Sequence, residues 1–248
     1  MMLHTHGQRL FKQLNVERRS FSPRQIPCYT GVREMDILLQ EVEKAVRILR
    51  DGGVIAFPTD TVYGLGADAF NFRAVDRIYE IKKRPKHKHL PLLIADASQL
   101  SAIADPVPGV GWFLARRFWP GGLTLVLPRG VHLPSYLATG HGIAVRVPNH
   151  HIPLAIIQQL GKPLIGTSAN ISGQSPALTA DEVRRQLEGK IDYIINGGKC
   201  SGGQESTVVD IIGQEPVILR QGIIPAHKII QACNEYSELN NEARCYRL

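Results

Sequence analysis

The chain has 248 residues, 44% of them apolar, and a net charge of +7 at neutral pH. That length suffices for one large domain or two small ones, and the apolar fraction argues against global disorder. The excess of Lys and Arg favours anionic partners such as phosphates, nucleotides or RNA without choosing among them, and no apolar run approaches the length of a membrane span.

Residues 1–33 carry Arg9, Lys12, Arg18, Arg19, Arg24 and Arg33 against the single acid Glu17. So acid-poor a start reads either as an organelle transit peptide, with a mitochondrial address, or as a disordered extension of a cytoplasmic protein. Cys28, Cys200, Cys233 and Cys245 form no C-x-x-C pair. This usage speaks against a disulfide framework or a zinc site and suits a reducing cytosol.

Leu38, Val42, Ala45 and Leu49 recur at helical spacing over 36–51, and Gly52-Gly53 ends that helix. A buried strand follows at 54–57, then a Gly-containing loop at 59–68. Val75, Ile78, Tyr79 and Lys82 share one face of a helix over 73–83, which Pro85 terminates. The pattern next predicts a strand at 92–95, a helix at 110–118, a turn at 119–122 and strands at 123–127 and 143–147. A helix at 152–160 leads to a strand at 164–166. Thr179-x-x-Glu182 reads as a capping box opening a helix to 187. Strands at 193–195, 207–211 and 217–219 precede a helix at 225–233 with Pro in its first turn, and a polar tail. Several adjacent strands have no helix between them, so the expected fold is α/β with an open, twisted, mixed parallel and antiparallel sheet. No linker interrupts residues 36–233, which implies one domain.

The densest chemical signal is Lys82-Lys-Arg84-Pro-Lys86-His-Lys88-His89, a cation cluster at a helix end. Cations are ordinarily favoured there by the helix dipole and solvated. Pro85 and the apolar stretch that follows instead hold Arg84 and Lys88 beside a strand end, where a planar Arg fork and a Lys point charge suit phosphate. Gly166-Thr-Ser168-Ala-Asn170-Ile-Ser172-Gly173 places small hydroxyls and an amide after a strand. It lacks the second glycine of a serine-hydrolase elbow. Gly64-x-Gly66-x-x-Ala69 imitates a dinucleotide fingerprint weakly, because it lies too far past its strand and no acid follows at the right distance. Arg146, inside an apolar strand, requires a partner if buried: a structural carboxylate or a substrate carboxylate. The histidines show no zinc-binding spacing, and no protein-held metal is expected.

Taken in order, P-T-D-T-V-Y-G-L-G at 58–66, K-K-R-P at 82–85, W-P-G-G-L-T at 119–124, V-R-V-P-N-H at 145–150, T-S-A-N-I-S-G at 167–173, E-S-T-V-V-D at 205–210 and L-R-Q-G at 219–222 resemble the YrdC-like family of L-threonylcarbamoyladenylate synthases. The resemblance covers about 36–225, which it marks as the catalytic domain; 226–248 would be a closing helix and tail. It implies a sheet around a large, positively charged cavity. It also implies a reaction in which L-threonine, bicarbonate and ATP give threonylcarbamoyl-AMP, pyrophosphate and water. A partner transferase complex then modifies adenosine 37 of tRNA.

On the same resemblance Lys82, Arg84, Ser168 and Asn170 are catalytic and hold the ATP phosphates with their Mg²⁺, and Lys88, Ser175 and Arg220 also contact the nucleotide. Thr61, Arg146, Gly166 and Ser206 match threonine-binding positions, with Arg146 on its carboxylate. No organic cofactor is implied. Some relatives carry a His at the position of Leu93. The short tail matches the single-domain form of the family. Competing classes are a double-stranded-RNA-binding module of the same fold, contacting phosphates without chemistry, and a carbamoyl-adenylate enzyme with another acceptor.

Overall fold

The computed structural model describes residues 32–88, 90–138, 142–213 and 215–245. The expectations for the Arg-bearing start therefore lie outside the described residues, except that the first helix already begins at Val32. His89 and residues 246–248 lie outside them too.

Helix α1 (Val32–Arg50) turns Val42, Ala45, Val46 and Leu49 inward, the spacing its sequence predicts. Gly52, at φ +82°, ends it, a conformation that a side chain would strain. Strand β1 (Ile55–Phe57) follows. Its alternation places it between two apolar cores. Ile55 and Phe57 pack with α1 and with Ile152 and Ile156, whereas Val54 and Ala56 join the larger core.

From Ile37 onward the chain forms one compact unit. Its elements continue with β2 (Gly64–Gly66), α2 (Phe72–Lys82), β3 (Leu92–Leu93), α3 (Gly109–Phe118), β4 (Leu123–Pro128), β5 (Gly142–Arg146), α4 (His151–Leu160), β6 (Leu164–Ile165), β7 (Thr167–Ser168), α5 (Ala180–Leu187), β8 (Tyr193–Ile194), β9 (Thr207–Asp210), β10 (Val217–Arg220) and α6 (Ala226–Cys245). The strands make two mixed sheets where the sequence predicts one. The smaller is ordered β7-β2-β1-β8 and the larger β10-β9-β4-β5-β3-β6.

One short run joins the sheets. β6 pairs antiparallel with β3, and β7 pairs antiparallel with β2. Between them the Ile165 N–H donates to Ala67 O and the Gly166 N–H to Pro91 O, both at 2.9 Å. A Cβ on Gly166 would lie 2.3 Å from Leu93 Cγ, so only glycine fits at this crossing.

The structure corrects four local expectations. The 59–68 loop contains β2, whose glycines lack strand propensity and are held by β1 and β7 instead. The strand expected at 164–166 breaks at Gly166 and changes sheet. The last helix runs on to Cys245, where a polar tail was expected after 233. The capping box is half formed. Thr179 Oγ1 accepts the Glu182 N–H at 3.2 Å, but Glu182 Oε2 takes the N–H of Leu178, one residue before the cap.

Candidate active site

A cavity of about 450 Å³ lies over the larger sheet, within the usual range for ligand pockets. Its floor is built from side chains of one sheet face. Thr124 and Val126 of β4 sit opposite Val208 and Asp210 of β9, and Val126 opposite Ala144 of β5. At one end the floor becomes polar, with Arg146, Ser206 and Arg220; Thr61, Arg84, Gly166 and Ser168 close over it.

Arg146 ends β5 and is 7% exposed. Its Nε donates to Gly121 O at 2.8 Å, Nη1 to Thr61 Oγ1 at 3.0 Å and Nη2 to Asp60 Oδ1 at 2.6 Å. Asp60 also accepts the Asn149 N–H at 3.1 Å. The structural carboxylate is thus present, and the W-P-G-G turn supplies the carbonyl. Burial lowers the guanidinium's pKa, and Asp60 opposes that fall. A guanidinium has five N–H groups, so both Nη atoms retain a hydrogen for a ligand. Thr61 Oγ1 is itself fixed by Thr59 Oγ1 at 2.9 Å.

Arg220 ends β10 and also lines the cavity. Its Nε and Nη2 donate to Ser206 O at 3.1 and 2.9 Å, and Nη1 pairs with Glu205 Oε2 at 2.8 Å. Ser206 Oγ lies 2.8 Å from Thr124 Oγ1, which fixes the hydroxyl's place on the sheet. Gly222 explains the end of its motif: a Cβ there would sit 2.3 Å from Glu205 O.

The basic cluster divides. Lys82, in the last turn of α2, is 1% exposed and does not line the cavity. Its Nζ donates to Ser168 O, to Asn170 O at 2.8 Å and to Asn170 Oδ1 at 3.1 Å. All three ammonium hydrogens thus hold the loop that follows β7. Burial, then the nearby Arg84 charge, push its pKa down to about 8. Lys83 adopts φ +50° as the helix cap, which turns the chain so that Arg84 enters the cavity wall. Arg84 Nε donates to Lys88 O at 3.0 Å. Lys88 contributes that carbonyl, while its side chain is exposed. Lys86 forms a surface ion pair with Asp76.

Asn170 is buried beside Lys82, and its Nδ2 donates to Gln174 O. Ser175 is exposed and offers its carbonyl to Gln186 Nε2 at 3.0 Å. The structure therefore brings Thr61, Arg84, Arg146, Gly166, Ser168, Ser206 and Arg220 to one cavity and leaves Lys82, Lys88, Asn170 and Ser175 off its lining. To the lining the structure adds Thr124 and Glu205, and it pairs Asp60, off the lining, with Arg146. Each stands inside a motif already singled out, so a search for charge partners of the arginines within those motifs would have found the two acids. The lining carries Glu205 and Asp210 as well as the arginines. Next to it His150 caps α4 through Nδ1, and burial and neighbouring His151 hold its pKa down to about 4. Among the described residues no helix is long and apolar enough to cross a membrane.

The Sua5/YciO/YrdC family model, described as "Telomere recombination", matches residues 47–222. The threonylcarbamoyl-AMP synthase of Pyrococcus abyssi is 42% identical over 196 residues, 79% of this chain and 58% of that protein. The protein of the same name from Marinobacter nauticus is 39% identical over 167 residues, 66% of this chain and 88% of its own length. The crystal structure of P. abyssi Sua5 complexed with L-threonine is similar at a TM-score of 0.75 and 42% identity, over 77% of this chain and 56% of that one. The chain spans little more than half the length of its archaeal relative. The match over 47–222, carried by a fold and a motif order that agree, means that this chain belongs to the Sua5/YciO/YrdC family.

Proposed function

We propose that the chain is an L-threonylcarbamoyladenylate synthase, a nucleotidyltransferase that consumes L-threonine, bicarbonate and ATP and releases threonylcarbamoyl-AMP, pyrophosphate and water. The observation that carries this reading is the cavity itself. Arg146, Thr61, Arg84 and Arg220 line it together, each within a motif of the family. The similarity to proteins named threonylcarbamoyl-AMP synthase supports it.

The threonine carboxylate meets the remaining Nη hydrogens of Arg146, and Thr61, Ser206 and the glycine backbone at 166 surround the rest of the amino acid. The threonine amine combines with bicarbonate to give a carbamate and water. A carbamate oxygen then attacks the α-phosphorus as the bond to pyrophosphate breaks. No side-chain nucleophile takes part. The chain contributes positioning, about 7–11 kcal/mol in favourable cases, and cations aimed at the charge that develops on the phosphates. Arg84, Ser168 and Arg220 supply these contacts, and Mg²⁺ enters with ATP as part of the substrate. Lys82 acts through the loop it holds, setting Ser168 and Asn170. The product serves a transferase that modifies adenosine 37 of tRNA, in the cytoplasm, where free thiols such as Cys200 and Cys233 persist.

Threonine-dependent pyrophosphate release from ATP, with threonylcarbamoyl-AMP detected by mass spectrometry, tests the reading. Pyrophosphate release that ignores threonine, or its absence, would defeat it.

A further inference from the structure

The acids lining the cavity, among the described residues, are Glu205 and Asp210. Asp210 Oδ1 accepts the Ile212 N–H at 2.8 Å, which closes its own turn. Glu205 stands among the cations. Its Oε2 pairs with Arg220 Nη1, and its charge is felt at both Lys82 and Arg84. Arg220, which would receive a polyphosphate, therefore already holds a carboxylate.

The backbone of Glu205 is pinned. Its carbonyl accepts the Ile223 N–H at 2.9 Å, and Gly222 packs against it. The side chain is different, being 34% exposed. Arg220 keeps its aim without it, because Nε and Nη2 are tied to Ser206. Rotation of the Glu205 side chain alone then frees Nη1 for another anion.

We propose that Glu205 is an internal counter-ion that sets which polyphosphates the cavity accepts. A bare chain has to displace the carboxylate and then sit beside it, and like charges at that range repel. A chain whose charge is offset by a divalent cation escapes most of this penalty. The discrimination works against the wrong ligand rather than for the right one. The inference rests on the nucleotide reading above.

Calorimetric titration with ATP, in EDTA and in excess Mg²⁺, tests it on wild type, Glu205→Gln and Glu205→Asp. Glu205→Gln should tighten metal-free ATP about fivefold, the scale of a partly exposed ion pair, and shift Mg²⁺-ATP by less than about twofold. Glu205→Asp, which keeps the charge, should stay within about twofold of wild type in both. Metal-free binding that is unchanged or weaker in Glu205→Gln overturns the proposal. So does a loss confined to Mg²⁺-ATP, which would make the carboxylate a metal ligand, and so does an Asp variant that behaves like Gln. If wild type binds neither form, the nucleotide reading fails, and the inference goes with it.

Discussion

Arg146 and Arg220 line the same cavity and are held in opposite ways. Arg146 is almost fully buried, and each of its nitrogens meets a partner from another part of the chain: a turn carbonyl, a hydroxyl and a carboxylate. Arg220 is 42% exposed at its side chain, and its ion pair is with Glu205 at the cavity wall. The first arginine sits where water cannot screen it, so its direction is set before any ligand arrives. The second sits where partners can be exchanged. For the proposed reaction, which fixes a small amino acid and admits a flexible polyphosphate, one arginine of each kind is an advantage.

The sharpest way to break this contrast is Arg146→Ala. It removes a buried guanidinium and leaves Asp60, 15% exposed at its side chain, with the Asn149 N–H alone; breaking a fully buried pair costs about 3–5 kcal/mol, which sets the upper end here. Urea unfolding should show a loss of that order together with lost activity; a loss below about 1 kcal/mol would mean the pair does not organise the wall. Arg84→Ala should separate activity from stability. Losing a charge-assisted hydrogen bond to phosphate, about 1.5–3 kcal/mol, predicts a fall of roughly 10- to 100-fold in threonine-dependent pyrophosphate release. Stability should change by no more than about 0.5 kcal/mol, and normal release would return this turn to the solvated surface.

Lys82 gives a smaller, pH-dependent effect. Its folded value is pushed down to about 8 from the ordinary 10.5. Between these values the unfolded chain binds more protons than the folded one, so this group's contribution to stability rises with pH across that window. Below about pH 8 the cost of burying the charge is fully present. The stability of wild type minus that of Lys82→Met should therefore increase from pH 7 to pH 10, while activity falls above pH 8 as the ammonium loses one of its three hydrogens. A difference that stays flat with pH would contradict the burial argument. Smallest of all, Lys88→Ala and Ser175→Ala leave the backbone carbonyls in place and should alter turnover by less than about twofold.

Most of the framework was readable from spacing. The apolar faces of α1, α2 and α4 and the strands around 123–127 and 143–147 follow from periodicity alone, because each buries a stripe wide enough to see in sequence. β2 and β7 were not readable. Gly64–Gly66 and Thr167–Ser168 become strands only because β1 and β2 offer them a ladder. In the site, the arginines announced themselves as charges within apolar strands. Their partners did not, since Asp60 reaches Arg146 only when distant strands meet. Lys82 illustrates the same limit. Its charge suggested a ligand contact, but its place on the buried face of α2 turned it into a brace for the next loop.

The run from Leu164 to Ser168 acts as a rivet. It is hydrogen-bonded to the larger sheet through β3 and to the smaller through β2, with Gly166 pressed on Leu93 at the crossing. The two sheets cannot slide apart there without breaking a ladder on one side, and Lys82 fastens the Arg84-bearing turn to the same piece. The cavity is therefore braced from both sheets along its Gly166–Ser168 side. Amide exchange should be slow at Ile165 and Gly166, whose N–H groups are held by Ala67 and Pro91, a protection measurable without any ligand present.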